Sequence, residues 1–316
     1  MAAVLEAPAH TRMLLYDKDH CWQYDIRINN LEEDLKRSRL TLQESQALTV
    51  DDFLFGYVRS EERETCDELT TFIERHEWLG KMPNRPTHRF AAFYAKTGEI
   101  AGAIVMAIPN TFSQVLGEQY KNREKLVSRG ACISWSPKCL GSWLIMHSIR
   151  WMAKNTDFRV FSAYSDPDAR ELGTIYQACN FYYLGKGSGG NRMFFDPTRP
   201  HIGWFGERNF RHRSKYNMYA EALGIDPKLW KSWQSRWRPD WTKVPPEIKQ
   251  QIKEEERKYR ESCVERVVPA KHKYCYILGK TNGETRRLRN LFETLNPDLV
   301  GLPYPKDRCS DVSRHI

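Results

Sequence analysis

Residues 161–180 read Phe161-Ser-Ala-Tyr-Ser-Asp-Pro-Asp-Ala-Arg-Glu-Leu-Gly-Thr-Ile-Tyr-Gln-Ala-Cys-Asn180, and the rest of the chain is best read outward from them. Arg159 to Tyr164 is a run of strand character that delivers a carboxylate, Asp166, at its end. Pro167 and a charged turn follow, and a short helix opening near Gly173-Thr174 sets Tyr176 and Gln177 within a turn of each other. Strand ends followed by helix starts collect reactive groups in α/β proteins, because a rigid sheet holds the intervening loop. An acid and a phenol at such a junction suit proton transfer. They equally suit a plain turn, with Asp166 capping it and Tyr176 in the core.

The flanking periodicity supplies a sheet for this junction. Glu61 to Leu79 reads as an amphipathic helix with Leu69, Phe72 and Ile73 on one face, ended by Gly80 and Pro83. His88–Tyr94 and Ile100–Ile108 read as strands around the Lys96-Thr-Gly-Glu99 turn. Residues 110–129 are polar and read as helix plus loop; Ala131–Trp135 reads as a short strand and Ser142–Lys154 as a helix. Phe181–Leu184 and Arg192–Phe195 flank a Gly-rich turn and read as a hairpin, and Tyr274–Leu278 as a late strand. This order predicts a mixed α/β layer architecture. Residues 1–47 read as an extension whose segment Leu31–Leu40 suits a solvated helix, with no chemistry of its own.

Composition narrows the class. At 316 residues with 41% hydrophobic and 12% aromatic content, the chain buries a substantial core and is not disordered. No apolar run approaches the ~18–20 residues that span a bilayer, and no signal-peptide pattern opens the chain, so a soluble intracellular protein is expected. Eight cysteines without a Cys-x-x-Cys pair give no zinc-finger or iron–sulfur signature. Charge is uneven: residues 1–196 carry 24 Lys and Arg against 25 Asp and Glu, net −1, whereas residues 197–316 carry 25 against 15, net +10. Such asymmetry points to a polyanion partner or to a merely basic soluble surface.

Three motifs carry a family resemblance. Tyr164-Ser-Asp-Pro167, Gly173-Thr-Ile-Tyr-Gln-Ala178 and Asn180 resemble the central motif of the Mom family of bacteriophage DNA-modification proteins, relatives of the GCN5-type N-acyltransferases. Phe72-Ile-Glu-Arg-His-Glu-Trp-Leu-Gly-Lys-Met-Pro83 with His88-Arg-Phe90 resembles the family's N-terminal motif. Lys271-His-Lys-Tyr-Cys-Tyr-Ile277 with Leu302-Pro-Tyr-Pro-Lys306 resembles its C-terminal one. Together they extend over residues 48–197 and 271–306.

The resemblance implies a GCN5-type acyltransferase-like mixed sheet flanked by helices over residues 48–199, after an N-terminal extension. It places a basic, Trp-rich helical insertion at 200–270, and a strand and helix packed on the core at 271–316. It further implies modification of the adenine N6 amine of DNA to a carbamoylmethyl group, with acetyl-CoA or another acyl-CoA as donor, protecting phage DNA from restriction in the cytoplasm of the infected host. Asp166 would then act as base or orienting group and Tyr176 as the acid for the leaving thiolate. Lys138, Gly141 and Ser142, heading the helix from Ser142, would cradle the pyrophosphate, unless they form an ordinary N-cap. Ser134, Gln177 and Asn180 complete the candidate cofactor residues. The family often has a His-Tyr pair near position 76, with iron proposed for some members; here it reads His76-Glu77. A metal on these two would need Asp166 as a further ligand, because neighbouring side chains on a helix diverge.

For DNA, the cluster Arg208, Arg211, Arg213 and Lys215 offers phosphate contacts without intervening acids. Tyr219 to Trp233 has the spacing of a helix-turn-helix, with Asp226-Pro227 opening a second helix that would present Lys228, Lys231, Arg236 and Arg238. Two other readings stay open: an acyltransferase of the same fold acting on another amine or a hypermodified base, and a non-catalytic DNA-binding protein on an acyltransferase-like core.

Overall fold

A computed structural model describes residues 21–187, 191–236 and 238–306. Residues 1–20, the turn at 188–190, Trp237 and the stretch from 307, Cys309 included, lie outside the described residues. The chain divides into two compact units, residues 1–187 with 271–316, and residues 188–270.

The first unit opens with α1 (Trp22–Arg37) and α2 (Leu42–Ala47). There follow β1 (Phe53–Val58), α3 (Arg63–His76), β2 (Pro86–Tyr94), β3 (Ile100–Ala107), β4 (Glu124–Cys132), α4 (Leu140–Asn155), β5 (Val160–Ser165), α5 (Thr174–Ala178) and β6 (Tyr182–Lys186). The second unit holds β7 (Asn191–Phe195), β8 (Phe205–Gly206), α6 (Arg213–Ala222), α7 (Pro227–Ser232), α8 (Pro246–Ser262) and β9 (Val264–Val268). Its antiparallel sheet runs β8-β7-β9. Phe194, Phe205 and Phe210 form one core of this unit, and Tyr216, Tyr219, Trp230, Val244 and Ile252 another. The chain returns to the first unit through β10 (His272–Ile277) and α9 (Asn282–Leu295).

The large sheet has the order β1-β2-β3-β4-β5-β10-β6. Neighbours are antiparallel except β4 and β5, which run parallel. This is the expected mixed α/β sheet flanked by helices. Every residue of β3 is buried, as suits a central strand with both faces covered. The small residues Ala101, Gly102 and Ala103 let helices approach, and a Cβ at Gly102 would sit 3.2 Å from Leu144 Cδ2 of α4. Leu140, Leu144, Ile145, Ile149 and Met152 give α4 its buried face, at the spacing of a helix packed on a sheet.

Three sequence expectations differ from this arrangement. The hairpin of 181–195 does not form: β6 pairs with β10, and β7 pairs with β8 and β9 in the other unit. The second unit accordingly starts at residue 188 rather than 200. The strand expected at 131–135 is β4, which begins at Glu124. Its charged residues hid it, because Glu124 and Lys125 are both buried. Glu124 accepts from Ser113 N and Oγ at 2.7 and 2.8 Å, and the Lys125 ammonium lies 4.4 Å from the Phe158 ring centroid. The third difference is α1. It is no solvated extension, since Leu31, Asp34 and Leu40 are buried.

Asp34 fixes that helix. Its carboxylate accepts from Arg75 Nη2 at 2.8 Å and from Ser134 Oγ at 2.6 Å. Arg27, one face along, donates to Ser134 O and Ser136 O. Gln23 grips the end of α3, donating to His76 O at 2.6 Å and accepting from Trp78 N at 3.2 Å. Removing one partner of a buried ion pair leaves the other uncompensated, typically costing about 3–5 kcal/mol. Asp34→Ala is therefore expected to lower stability by about that amount in urea unfolding, whereas Glu33→Ala, at an exposed pair, leaves the unfolding midpoint nearly unchanged.

Candidate active site

The site begins where β4 and β5 part. Their parallel pairing runs from Glu124 opposite Val160 to Val127 opposite Ala163 and stops. The register between β3 and β4 slips at Ser128, because Val105 faces Arg129 while Met106 faces Val127. β4 then stays with β3 as far as Cys132, and β5 stays with β10 as far as Ser165. A bulge of this kind bends its strand and adds twist. The result is a wedge in the sheet, opening into a cavity of about 1390 Å³. It is lined by β4 from Leu126 to Cys132, by Tyr164, Ser165 and Asp166, by the start of α4, by Glu171–Tyr176 and by Lys271. Its size exceeds the ~300–1,000 Å³ typical of single-ligand pockets.

Asp166 and Tyr176 both line this cavity. Asp166 caps the 3-10 turn Pro167–Ala169, accepting from Asp168 N at 3.1 Å, and its other oxygen pairs with Lys271 Nζ at 2.7 Å. The turn-capping reading therefore holds, and the same residue also faces the cavity. The lysine at 2.7 Å ties Asp166 into an ion pair, which suits it to positioning. Tyr176 rests on Phe181 and Tyr274, with ring centroids 5.3 and 5.4 Å away. Burial, then the carboxylates of Glu171 and Glu77, push its phenol well above the ordinary range, so it stays protonated.

The residue that sequence reading missed is Glu171. It lies in the same wall, accepts weakly from Asp166 N at 3.3 Å, and has its carboxyl pushed up to about 7. Burial is the main cause; the Asp166 and Glu77 carboxylates add to it, while the Asp166 amide and Lys271 oppose it. A carboxyl poised near neutrality is what a general base at neutral pH requires. Its signal was available, since it stands inside the central motif, but a charged residue in a turn reads as solvated. Glu77 is a third carboxyl facing the cavity, raised by burial against the pull of Arg129, whose Nε is 3.8 Å away.

Among the cofactor candidates, Lys138, Gly141 and Ser142 line the cavity at the head of α4. Ser142 Oγ donates to Cys139 O at 2.9 Å. A Cβ at Gly141 would come within 2.9 Å of Ile175, so glycine keeps α4 and α5 close. Ser134 does not belong here: it is buried with its hydroxyl on Asp34. Gln177 is also structural, donating to Leu172 O at 2.9 Å and to Pro305 O at 3.5 Å. Asn180 is exposed with φ +57°, ending α5 in the left-handed conformation that asparagine tolerates. His76 and Glu77 do not converge on a metal. His76 is buried 3.7 Å from Asp34 and does not line the cavity that Glu77 faces, and burial holds it neutral, at about 4. Among the described residues no group of three His, Cys, Asp or Glu is placed to hold an ion. These residues do not fit the iron site that the resemblance raised.

Residues 62–212 match the model of the Mom protein family. The matched stretch contains β4, β5, Glu77, Asp166, Glu171 and Tyr176; α1, β10 and Lys271 lie outside it. No curated protein sequence matches the chain. Among solved structures it is similar to the ribosomal-protein-S5-alanine acetyltransferase of Vibrio fischeri, at 14% identity and a TM-score of 0.31, over 43% of this chain and 82% of that one. It is also similar to a GNAT family acetyltransferase from Elizabethkingia anophelis with acetyl-CoA bound (14% identity, TM-score 0.31, 48% and 86% covered). An IAA acetyltransferase from Bacillus cereus aligns at 10% identity and a TM-score of 0.34, over 72% and 99%.

The basic residues past position 200 sort differently. Arg208, Arg211, Arg213, Lys228, Lys231, Arg236 and Arg238 are exposed in the second unit. Lys215 is not a surface cation; it is buried, donates to Tyr259 Oη, and sits 4.2 Å from that ring's centroid. α6 and α7 do form a helix, turn and helix around Gly224, with Asp226 accepting from Lys228 N and Leu229 N at 2.9 Å. α7 ends at Ser232, so Arg236 and Arg238 lie on the following turn and not on a recognition helix.

The raised Glu171 gives a pH test. The folded state disfavours the carboxylate, so Glu171 costs stability above pH 7 and nothing below the ordinary carboxyl range near 4.5. Glu171→Gln is expected to raise Tm at pH 8 by about 2–4 °C, with the gain vanishing at pH 4; thermal melts at the two pH values check it.

Proposed function

We propose that this protein is a Mom-like DNA-modification enzyme that uses acetyl-CoA or another acyl-CoA to modify the N6 amine of adenine. The observation that carries the reading is the convergence of Glu171, Asp166 and Tyr176 on one cavity at the opening between β4 and β5. The Mom match over residues 62–212 supports the substrate class, and carbamoylmethylation is the modification it implies. Past Val127, the β4 edge turned away from β3 is not covered by β5, so its backbone is available to an extended amide-bearing arm such as pantetheine. The head of α4, with Lys138 beside it, offers amide donors and positive charge to a pyrophosphate.

The exocyclic amine must lose a proton as its nitrogen forms the new bond to carbon. As that C–N bond forms at the thioester carbonyl the C–S bond breaks: Glu171 takes the amine proton, the Asp166 N–H at 3.3 Å positions Glu171, and Tyr176 gives a proton to the departing CoA thiolate, so the step yields an N6-acyl adenine. The base must leave the duplex stack to reach this cavity. Exposed Arg208, Arg213, Lys228 and Lys231 of the second unit supply the phosphate contacts.

Nucleoside mass spectrometry of DNA from cells expressing the protein tests the reading. Wild type is expected to yield a modified adenine, and Glu171→Gln to reduce its rate by about 10²-fold or more, the usual contribution of a general base. With the base ionised only above about pH 7, the wild-type rate rises with pH through that value and the dependence disappears in the variant. An unchanged nucleoside profile alongside CoA-dependent acylation of another amine would move the acceptor elsewhere. For the second unit, each of Arg208→Ala and Lys231→Ala should lower the salt slope of DNA binding by about 1, whereas Lys215→Ala should cost stability instead.

A further inference from the structure

One wall of the cavity carries none of the residues assigned above to the thioester. It is made by the start of α1 (Cys21, Gln23, Tyr24, Arg27) and by the loop after α3 (Glu77 to Arg85). α1 lies outside the Mom match, so this wall is built partly from sequence the family model does not describe. It is nevertheless held as firmly as the core. The Gln23 amide clamps the backbone on both sides of Glu77, and Asp34 and Arg27 tie α1 to Arg75, Ser134 and Ser136.

The clamp presents a particular set of groups. Trp78 faces the cavity, backed edge-on by Trp22 at 5.3 Å between centroids with planes at 75°. Trp22 is 41% exposed, so the indole pair forms part of the rim. Tyr24 lines the same wall, one turn before Arg27. Next to Trp78 stands the buried carboxyl of Glu77, which shares its field with Glu171 and Tyr176. Lys81 and Arg85, both exposed, complete the loop on the outside.

Flat aromatic surface, an acceptor aligned beside it, and cations at the rim are the recognition chemistry of an unstacked nucleotide. Aromatic rings take the base face, a carboxyl accepts from an exocyclic amine, and Lys or Arg meet the adjoining phosphates. We infer that the Trp78–Tyr24 wall is the acceptor-base subsite. In it, Trp78, braced by Trp22, stacks the extruded adenine, and Glu77 accepts from its amine and directs it toward Glu171. This rests on the reading above and adds to it the residues that hold the base. Gln23 is a positioning residue, acting only through the backbone of His76 and Trp78.

A single-stranded oligonucleotide carrying 2-aminopurine at the target position reads the stack directly, because its fluorescence is quenched on an aromatic face. Wild type is expected to quench it. Trp78→Ala should abolish the quench and raise the KM for DNA about tenfold, the loss expected for one base–aromatic stack. Trp78→Phe should restore most of both, and acetyl-CoA affinity should be unchanged in each variant, which also shows that they fold. Glu77→Gln should keep the quench and weaken an oligonucleotide with adenine more than one with purine. Equal quenching by wild type and Trp78→Ala, or an unchanged KM for DNA, overturns the subsite. If wild type binds neither acetyl-CoA nor the oligonucleotide, the acyl-transfer reading fails as well; acetyl-CoA binding without any response of the probe overturns the subsite alone.

Discussion

The parting of two parallel strands sets everything else in the first unit. β4 and β5 pair for four residues, and then each follows its other neighbour. A continuous sheet would leave no space at this position, since every residue of β3 beside it is buried. The extra residue at Ser128 gives β4 the bend it needs while keeping its bonds to β3. Backbone groups on the β4 edge that would have met β5 are left facing a cavity. Such groups need a partner, and water or a ligand with amides of its own can supply one. The chemistry of the site follows from that backbone geometry before any side chain is considered.

The side chains then raise the electrostatic cost. Glu77, Asp166 and Glu171 stand around one cavity with one lysine, Lys271, paired directly to Asp166. The lysine distinguishes the two carboxyls of the motif. Asp166 holds the ion pair, and Glu171, left without a cation of its own at short range, carries the burden of burial. Below them Gly173 is irreplaceable for two reasons: its φ is +68°, and a Cβ would lie within 2.6–2.9 Å of the Tyr274 ring. Tyr274 Oη donates to Leu172 O, so the loop carrying Glu171 and the helix carrying Tyr176 are both seated on one buried ring from β10. A segment about a hundred residues further along the chain thus fixes the angle between the Glu171 carboxyl and the Tyr176 phenol.

How much of this was legible depends on what each residue type usually means. Apolar periodicity located α3, β2, β3, α4 and β5 to within a few residues, because burial and period coincide there. The central stretch also brought Asp166 and Tyr176 into view, since a strand–turn–helix junction has few alternative geometries. β4 was lost because Glu124 and Lys125 are charged, and only tertiary partners reveal that a charge is buried. α1 was misjudged for the same reason: Asp34 looks like surface charge until Arg75 and Ser134 are seen around it. Glu171 was overlooked because its significance lies in a shifted titration, and that depends on neighbours at positions 77, 166 and 271. Pairing across long separations misled the reading of β6 and β7, adjacent in sequence and sharing no ladder.

The basic excess past residue 196 deserves the same scrutiny, because a net charge says nothing of what is already neutralised. On α8, Arg257 lies 2.6–2.7 Å from Glu254 and Glu261, Lys258 pairs with Glu255, and Arg260 with Glu207. Lys215 is turned inward to Tyr259, which itself donates to Asp196 at 2.9 Å. Such cations keep their own counterions close, and a phosphate gains little by competing for them. Among the described residues Arg208, Lys228, Lys231 and Arg238 have no carboxylate within ion-pair distance. Lys228 and Lys231 stand on α7 itself, with Arg208 before α6 and Arg238 after α7; Asp226 caps α7 and Trp230, through Asn217 at 3.0 Å, locks it to α6. Within the second unit, the unneutralised charge therefore sits on and beside the helix pair, while α8 packs against α6 and keeps its own cations paired.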